Sequence, residues 1–397
     1  MINAKEALDI ILNHVRPLGT CTLSLEQALG LVLAEEIISA EYIPAFDNSA
    51  MDGFAVRSEE VSNVPATLRI VNEIPAGAVS EKHLLPGEAM PIMTGAKIPE
   101  GCNAVVQLEW TERVDEHLVN VMRRVEPGQN IRRVGADVQK GSLVFSPGTE
   151  LRPQELGVLA SLGKQFVSVY RPPRVAVLVT GNEIVEINRP VPDGKIRNSN
   201  GYVLSALLRQ VGCTVLNLGI VKDSREELHQ KLSQGLSADV LITSGGVSAG
   251  TYDLVPEVLQ ALGVERKVWK VNIKPGMPML FGMSGAVPVF GLPGNPVSTY
   301  VTFLQFVKPA ILAMKGARSV LPFRFRAALK ESIIKKDKKR HFLRGILEEK
   351  EGVLHVHSTG SQVSNILTSL SKANCFIILP EESATVEAGD TVEVELI

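Results

Sequence analysis

From Arg174 onward, apolar runs of strand length alternate with helix-length amphipathic segments, and that alternation leaves few folds open. Residues 175–181 (VAVLVTG) read as a buried strand, 199–212 as a helix capped by Ser199, 214–221 as a strand and 224–236 as a helix. The strand in DVLITSG, a helix from Asp253 to Leu262, the segments VWKVNIKPG and PVFGLPGNP, and a long helix from Val297 to Met314 complete the run. Strands alternating with helices of this length form a mostly parallel sheet with helices on both faces. Such sheets bind ligands in the crevice at the carboxyl ends of their strands. Three loops fall at that kind of position: 180–183, 243–253 and 291–296.

The middle loop belongs to DVLITSGGVSAGTYD, 239–253. Gly245, Gly246 and Gly250 let backbone amides approach a ligand where a Cβ would intrude. Ser244, Ser248 and Thr251 add hydroxyls, and Asp253 opens the next helix, where its carboxylate either caps amides or holds a cation. An ordinary strand-to-helix turn would need fewer small polar residues, so the stretch reads as an anion site. In GLPGNPVS, Pro293 and Pro296 stiffen the chain, Gly294 lies between them and Asn295 can bond its own backbone. The helix from Val297 would then aim free amides at the loop. Lys270 and Lys274 are four apart; in an extended strand they face one side, and the bend at Pro275–Gly276 brings both to the crevice. Three acids, Glu183, Asp223 and Asp253, follow successive strands and can hold Mg²⁺ directly or through water; the bland alternative for each is a cap or turn. No GxGxxG follows the first strand and no GxxxxGK[ST] occurs, so neither a dinucleotide fingerprint nor a P-loop is present.

Outside this region the texture is different. Residues 4–16 place Ala7, Leu8, Ile11, Leu12 and Val15 on one helical stripe, which is not a signal-peptide pattern. Residues 24–35 predict a second helix capped by Ser24. Short alternating segments between 66 and 138 predict an all-β region, and 151–163 a short helix. After Pro322 the β pattern returns, as a small barrel or sandwich, with the KKDKKR run, 335–340, as a solvated hairpin tip. The formal net charge of −2 gives no basic field for nucleic acid. The four cysteines are far apart and form no CxxC pair, so buried free thiols and a reducing, cytoplasmic setting are expected. No apolar run reaches the roughly eighteen residues of a membrane span.

The motifs DNSAMDGFAV (47–56), PIMTGAKIPEGCNAVV (91–106), TGNEI (180–184), TSGGVSAGTYD (243–253), KPGMP (274–278), GLPGNPVS (291–298) and GSQVSNILTSLSKAN (360–374) together resemble the molybdopterin molybdenumtransferase family, MoeA and the C-terminal domain of gephyrin. The resemblance spans essentially the whole chain. It implies a multidomain α/β and β fold. The parts are an N-terminal helical and linker region (1–44 with 139–172), an elongated β domain (45–138), a central mostly parallel α/β/α domain of molybdopterin-adenylyltransferase type (173–320) and a C-terminal β-barrel (321–397). It implies a homodimer with a cleft between the α/β domain of one subunit and the β domain of the other. The reaction implied inserts molybdate into adenylylated molybdopterin and releases AMP, with Mg²⁺. By likeness, Asp52, Asp137, Glu183, Asp223, Asp253, Lys270 and Lys274 are the catalytic groups, with Glu183, Asp223 and Asp253 on the metal. Thr94, Gly181, Ser244, Gly245, Gly246, Ser248, Pro293, Gly294, Pro296, Arg344 and either Ser361 or Ser364 contact the ligand. A transient contact with a molybdopterin adenylyltransferase is implied as well. Two departures stand out: Met277 where members often carry Lys or Arg, and Ala136 where many carry an acid. A tungstate-inserting paralogue and a gephyrin-like scaffold are the alternatives.

Overall fold

The computed structural model describes residues 1–73, 77, 82–247 and 254–397. Contacts divide the chain into two compact units. One comprises Met1–Ala34, Pro147–Pro153 and Phe166–Ile397; the other comprises Glu35–Ser146 and Gln154–Gln165.

The larger unit is built on a six-stranded sheet. Its order is Thr214–Val221, Arg174–Thr180, Val240–Ser244, Val287–Leu292, Leu280–Ser284 and Glu265–Trp269. The first four strands are parallel, and Leu280–Ser284 runs antiparallel to both of its neighbours, Val287–Leu292 and Glu265–Trp269. Their apolar runs are nearly continuous because both faces are covered. Val175, Val177, Val240 and Ile242 pack with residues of the helices Ala4–His14 and Ser199–Gln210 and of the Pro296–Met314 helix. Ala176, Leu178 and Leu241 pack instead with Leu228, Leu232, Val255 and Leu259 of the helices Arg225–Gly235 and Val255–Ala261. The chain leaves Arg174–Thr180, crosses to Thr214–Val221 on one side and returns to Val240–Ser244 on the other. That reversal opens a crevice at the carboxyl ends of the two central strands.

The Pro296–Met314 helix is long and apolar enough to cross a membrane by length and composition, which the apolar-run criterion did not register. It is 78% buried in this structure, as a core helix is. The Ala4–His14 helix buries Ala4, Ala7 and Ile11 in the same core. Ser199–Gln210 is capped by Asn198, whose side chain accepts from the Gly201 amide, one residue earlier than the sequence predicts.

The helix predicted over 24–35 does not form. Thr20–Ser24 is a strand paired with Phe166–Tyr170, followed by a 3₁₀ turn at Leu25–Ala28. Gly30 then takes φ +74, and Val32 and Leu33 bridge to Glu150 and Val169. Three consecutive buried residues, Leu31 to Leu33, cannot share one helical stripe, and pairing overrides the weak helical pattern.

C-terminal strands close a barrel. Arg340–Lys350, Val353–Ser358, Arg324–Leu329, Thr391–Leu396 and Cys375–Leu379 neighbour one another in that order, and the last pairs back to the first. Ala327, Leu343, Val356, Ile377 and Val394 fill it. Ile273–Lys274, from the loop after Glu265–Trp269, adds in parallel to the edge at Arg340–His341. This pairing fixes the KPGMP segment against the barrel. The smaller unit holds a six-stranded sheet, Ala104–Gln107, Gly53–Val56, Glu88–Ile92, Ala66–Ile70, Leu118–Val121 and Thr111–Arg113, over a core of Phe54, Val56, Val61, Leu68 and Val119. This is the β region predicted for 66–138.

Candidate functional site

A cavity of about 1240 Å³ sits where the crevice is expected. Its floor is made by Thr180, Gly181 and Glu183, by Ser244 to Val247, and by Pro293 to Pro296, all following parallel strands. The Lys274–Pro278 segment lines it as well, as do Lys339 and residues 362–365 of the C-terminal region.

The glycine loop is held by direct bonds to its neighbours. The Gly245 amide donates to the Leu292 carbonyl at 3.0 Å. Asn200 Nδ2 donates to Ser244 Oγ at 2.9 Å and to the Gly294 carbonyl at 2.7 Å. Ser244 Oγ in turn donates to the Pro293 carbonyl at 3.3 Å. Ser244 is only 1% exposed, so its hydroxyl stitches two loops together. Asn200, invisible as a site residue from the sequence, is the clasp between them. Gly245 and Gly246 both take positive φ, +97 and +64, and a Cβ on Gly245 would stand 2.5 Å from the Thr180 carbonyl oxygen. Only glycine fits there. Thr180 Oγ1 is buried and has no hydrogen-bond partner among the described residues, an orphan polar atom in the cavity floor.

Glu183 and Asp223 both line the cavity. Asp223 and Asn182 exchange backbone-to-side-chain hydrogen bonds at 3.3 Å. Ser248 and Asp253 lie outside the described residues, and among the described residues no cluster of three metal-ligating side chains occurs.

The two lysines differ from expectation. The Glu265–Trp269 strand ends before Lys270, which takes φ +63, and Ile273–Lys274 is a separate short strand. The two side chains are therefore not on one face of an extended run. Lys274 reaches the cavity and pairs with Asp337 at 3.1 Å. Lys270 lies over the Trp269 ring, 5.8 Å from its centroid, and does not line the cavity. The turn at Lys270 is set by paired amides, Lys270 N to Met279 O and Val271 N to Met277 O.

KKDKKR is not a solvated tip. Lys335 is 5% exposed and gives its ammonium to the carbonyls of Lys339, Pro380 and Glu381. Asp337 binds Lys274, the Lys339 amide and His341 Nε2, the last at 2.7 Å. Burial pushes the Asp337 carboxyl up, but these hydrogen bonds outweigh it and hold it well below the usual carboxylate range. Alternating charge made the run look uniformly wet; the converging carbonyls of Lys339, Pro380 and Glu381 decided which lysine went inside.

Of the two serine candidates, Ser364 lines the cavity and Ser361 does not. Ser364 Oγ accepts from Asn295 Nδ2 at 3.1 Å, and the Ser364 carbonyl accepts from the Val297 amide at 3.2 Å. One amide the sequence assigned to an anion therefore holds this loop. Arg344 is wholly buried and is not a cavity residue. Its guanidinium donates to Ser369 Oγ and to the carbonyls of Ser361, Gln362 and Val363, at 3.0 to 3.2 Å. Burial pushes its pKa down to about 10.

In the smaller unit, Asp52 accepts from the Thr94 amide at 2.6 Å and its hydroxyl at 2.8 Å, so these two residues form one exposed pair. The Thr94 amide bond is foremost in lowering the Asp52 pKa. Asp137 is exposed. Among the cysteines, burial pushes Cys102 up to about 11 and Cys213 and Cys375 up to about 12, which leaves them inert as nucleophiles.

Three family models match in succession: MoeA N-terminal region (domain I and II) over 2–163, a probable molybdopterin binding domain over 176–313, and MoeA C-terminal region (domain IV) over 326–397. The molybdopterin molybdenumtransferase of Haemophilus influenzae is 39% identical over 382 residues, covering 96% of this chain and 94% of that protein. The Bacillus subtilis molybdopterin molybdenumtransferase is 37% identical over 404 residues, covering 100% and 94%. The crystal structure of molybdopterin biosynthesis moeA protein from Pyrococcus horikoshii OT3 superposes with a TM-score of 0.85 at 31% identity, covering 100% of each chain.

Proposed function

Because the chain belongs to the MoeA family of molybdopterin molybdenumtransferases, we propose that the cavity beside Gly245 and Gly246 is where it works on its substrate. The protein is an enzyme, a molybdopterin molybdenumtransferase. Its substrates are adenylylated molybdopterin and molybdate, and it releases AMP as the molybdenum cofactor forms. The observation carrying this reading is the convergence of three strand-end loops, Lys274 and the Ser364 loop on one cavity of nucleotide size.

Glycine at 245 and 246 lets the loop take its left-handed turn tight against Thr180, which lays the loop backbone along the cavity where phosphate oxygens can approach it. Lys274, freed from Asp337 or sharing it, adds a positive charge beside them. Asn295 and Ser364 offer a small polar patch for the oxyanion next to the stiff Pro293–Pro296 turn. Glu183 and Asp223, with the orphan Thr180 hydroxyl in the same floor, are hard oxygen donors that fit Mg²⁺, and Asp253 completes the proposed ligand set. Bound there, the ion would supply charge neutralisation at the phosphoanhydride. Asp52, Thr94, Asp137 and Lys270 take their proposed roles from family likeness alone. The same likeness supports a cytoplasmic homodimer, a transient contact with a molybdopterin adenylyltransferase, and the four-domain division 1–44 with 139–172, 45–138, 173–320 and 321–397.

Purified protein given adenylylated molybdopterin, molybdate and Mg²⁺ should release AMP; release no faster than a protein-free control would refute the assignment. Asp253→Asn should melt as the parent does, yet lose most AMP release at low Mg²⁺. If instead it releases AMP normally and melts early, Asp253 is a helix cap, and the metal rests on Glu183 and Asp223.

A further inference from the structure

Asp337 divides its two oxygens between the barrel and the cavity. Oδ1 accepts from His341 Nε2 at 2.7 Å and from the Lys339 amide at 3.1 Å, whereas Oδ2 accepts from Lys274 Nζ at 3.1 Å. An ionised carboxylate only accepts, so a neutral His341 carries its proton on Nε2. His341 is 7% exposed, on the strand Arg340–Lys350, and does not line the cavity. It stands beside Lys274 because Ile273–Lys274 pairs in parallel with Arg340–His341, with Lys274 opposite His341. One carboxylate thus joins a buried imidazole to an ammonium that reaches the cavity.

The groups facing His341 set its charge. Burial draws its pKa below the ordinary imidazole value; Asp337 opposes that, and the Lys274 and Lys335 ammoniums add to it. Lys335 comes from the segment after Ile333–Ile334 and is held by the carbonyls of Lys339, Pro380 and Glu381. Across the sheet His341 meets Leu379, which carries no charge, and its chain neighbour Arg340 is paired with Glu381. His341 is therefore mostly neutral at neutral pH and gains a proton in mild acid. That proton makes the Nε2 bond to Asp337 charge-assisted and places a second positive charge beside Lys274. Both effects loosen Lys274 from Oδ2. The coupling is reciprocal: a ligand that draws Lys274 away takes a cation from Asp337 and lets His341 hold its proton more tightly.

We propose that His341 is a positioning residue for Lys274. Acting through Asp337, its protonation releases the Lys274 ammonium to the phosphate oxygens of the substrate, so substrate binding takes up a proton. The proposal rests on the functional reading above. It gives the barrel strand a role behind the cavity wall, where His341 touches no ligand.

The test is calorimetric binding of adenylylated molybdopterin to the full-length protein in buffers of different ionisation enthalpy, which counts the protons taken up, with AMP release measured alongside. The parent should take up part of a proton in mild acid and almost none in mild alkali. Its affinity should rise as the pH falls from neutral to about pH 5.5, approaching the tenfold that a rise of about one unit in the His341 pKa supplies. His341→Gln keeps a donor for Asp337 but does not titrate. It should bind as the parent does in mild alkali, yet show neither the uptake nor the rise. Asp337→Asn, which cuts the link while leaving His341 in place, should lose the uptake as well. In the parent itself, the NMR titration of the His341 ring should move to higher pH when the substrate is bound, a reading that needs no variant. A parent that takes up no proton at any of these pH values, a His341→Gln variant that takes up as much as the parent, or a His341 titration unmoved by substrate would each overturn the proposal. A parent protein that neither binds the substrate nor releases AMP would instead overturn the functional reading on which the proposal stands.

Discussion

Arg344 shows how a residue can matter to a site without touching it. Three of its four donated hydrogen bonds hold the 361–363 backbone, the fourth goes to Ser369 Oγ, and Gln362 answers by donating Nε2 to the Arg344 carbonyl at 3.1 Å. That backbone leads directly into Ser364 and Asn365 of the cavity wall. Arg344→Ala would remove the wholly buried guanidinium and leave the Ser361, Gln362 and Val363 carbonyls without this donor. The expected loss is roughly 3–5 kcal/mol in urea unfolding, with AMP release reduced beyond what the unfolded fraction explains. Arg344→Lys keeps charge but not the fork, and should recover less than half of that stability. A loss under ~1 kcal/mol for the alanine variant would mean that the loop holds itself. Asp337 gives a pH-dependent counterpart. Its folded pKa lies below its unfolded value near ~3.9. It therefore contributes stability that is fully present above that value and is lost as pH falls through it toward the folded pKa. Melting of Asp337→Asn should lag the parent most near neutral pH, and the gap should narrow steadily below about pH 4. A gap that is constant between neutral and acid conditions would remove the ion pair as its cause.

At the scale of elements, the glycine loop and the proline loop make a contrast that separates strain from contact. Gly245 has φ +97 and a core-strand carbonyl 2.5 Å from any added Cβ. Gly294 has an ordinary φ and only the Gly245 Cα at 3.7 Å. Gly245→Ala should cost about 2–4 kcal/mol and abolish substrate binding, whereas Gly294→Ala should stay within about 1 kcal/mol of the parent. Similar melting points for the two would show that the Thr180 carbonyl can move aside. The strands and loops of this domain were readable in advance because buried parallel strands give unbroken apolar runs and strand-end turns need glycine. What stayed unreadable depended on distant partners. Residues 24–35 carry a fair helix pattern, yet Phe166–Tyr170, over a hundred residues away, draws the start of the segment into a strand. Lys270 and Lys274 looked like one face of a strand until Met277 and Met279 folded the chain back on them. Asn200 and Arg344 act through carbonyls, which carry no sequence signature. Lys335 and Lys339 differ only in which neighbouring backbone they meet.

On the scale of the whole molecule, an amphipathic N-terminal helix with little beside it in sequence to bury it favours a second subunit, the alternative being that it packs within its own subunit. The structure removes that argument: Ala4, Ala7 and Ile11 pack against the α/β core of their own chain. Self-association therefore stands on the family likeness, and its expected form follows from symmetry, since a closed pair of identical chains is the commonest soluble assembly. Light scattering at micromolar concentration should give about 86 kDa, twice the 42.9 kDa of one chain. Mass action supplies an independent reading, because association that stabilises the folded state makes melting depend on protein concentration. A hundredfold dilution should lower Tm measurably if dimerisation and folding are coupled, and should leave it unchanged for a monomer. The Ala4–His14 helix makes the test sharper. Ala7→Asp would bury a charge in the intramolecular core, so it should lower Tm by the same amount at every concentration. If Ala7→Asp instead converts a dimer into a stable, fully folded 42.9 kDa monomer, then this helix is an interface element after all and the packing described for it is wrong. A parent protein that stays at 42.9 kDa across the whole range, with a Tm indifferent to dilution, would refute the dimer itself.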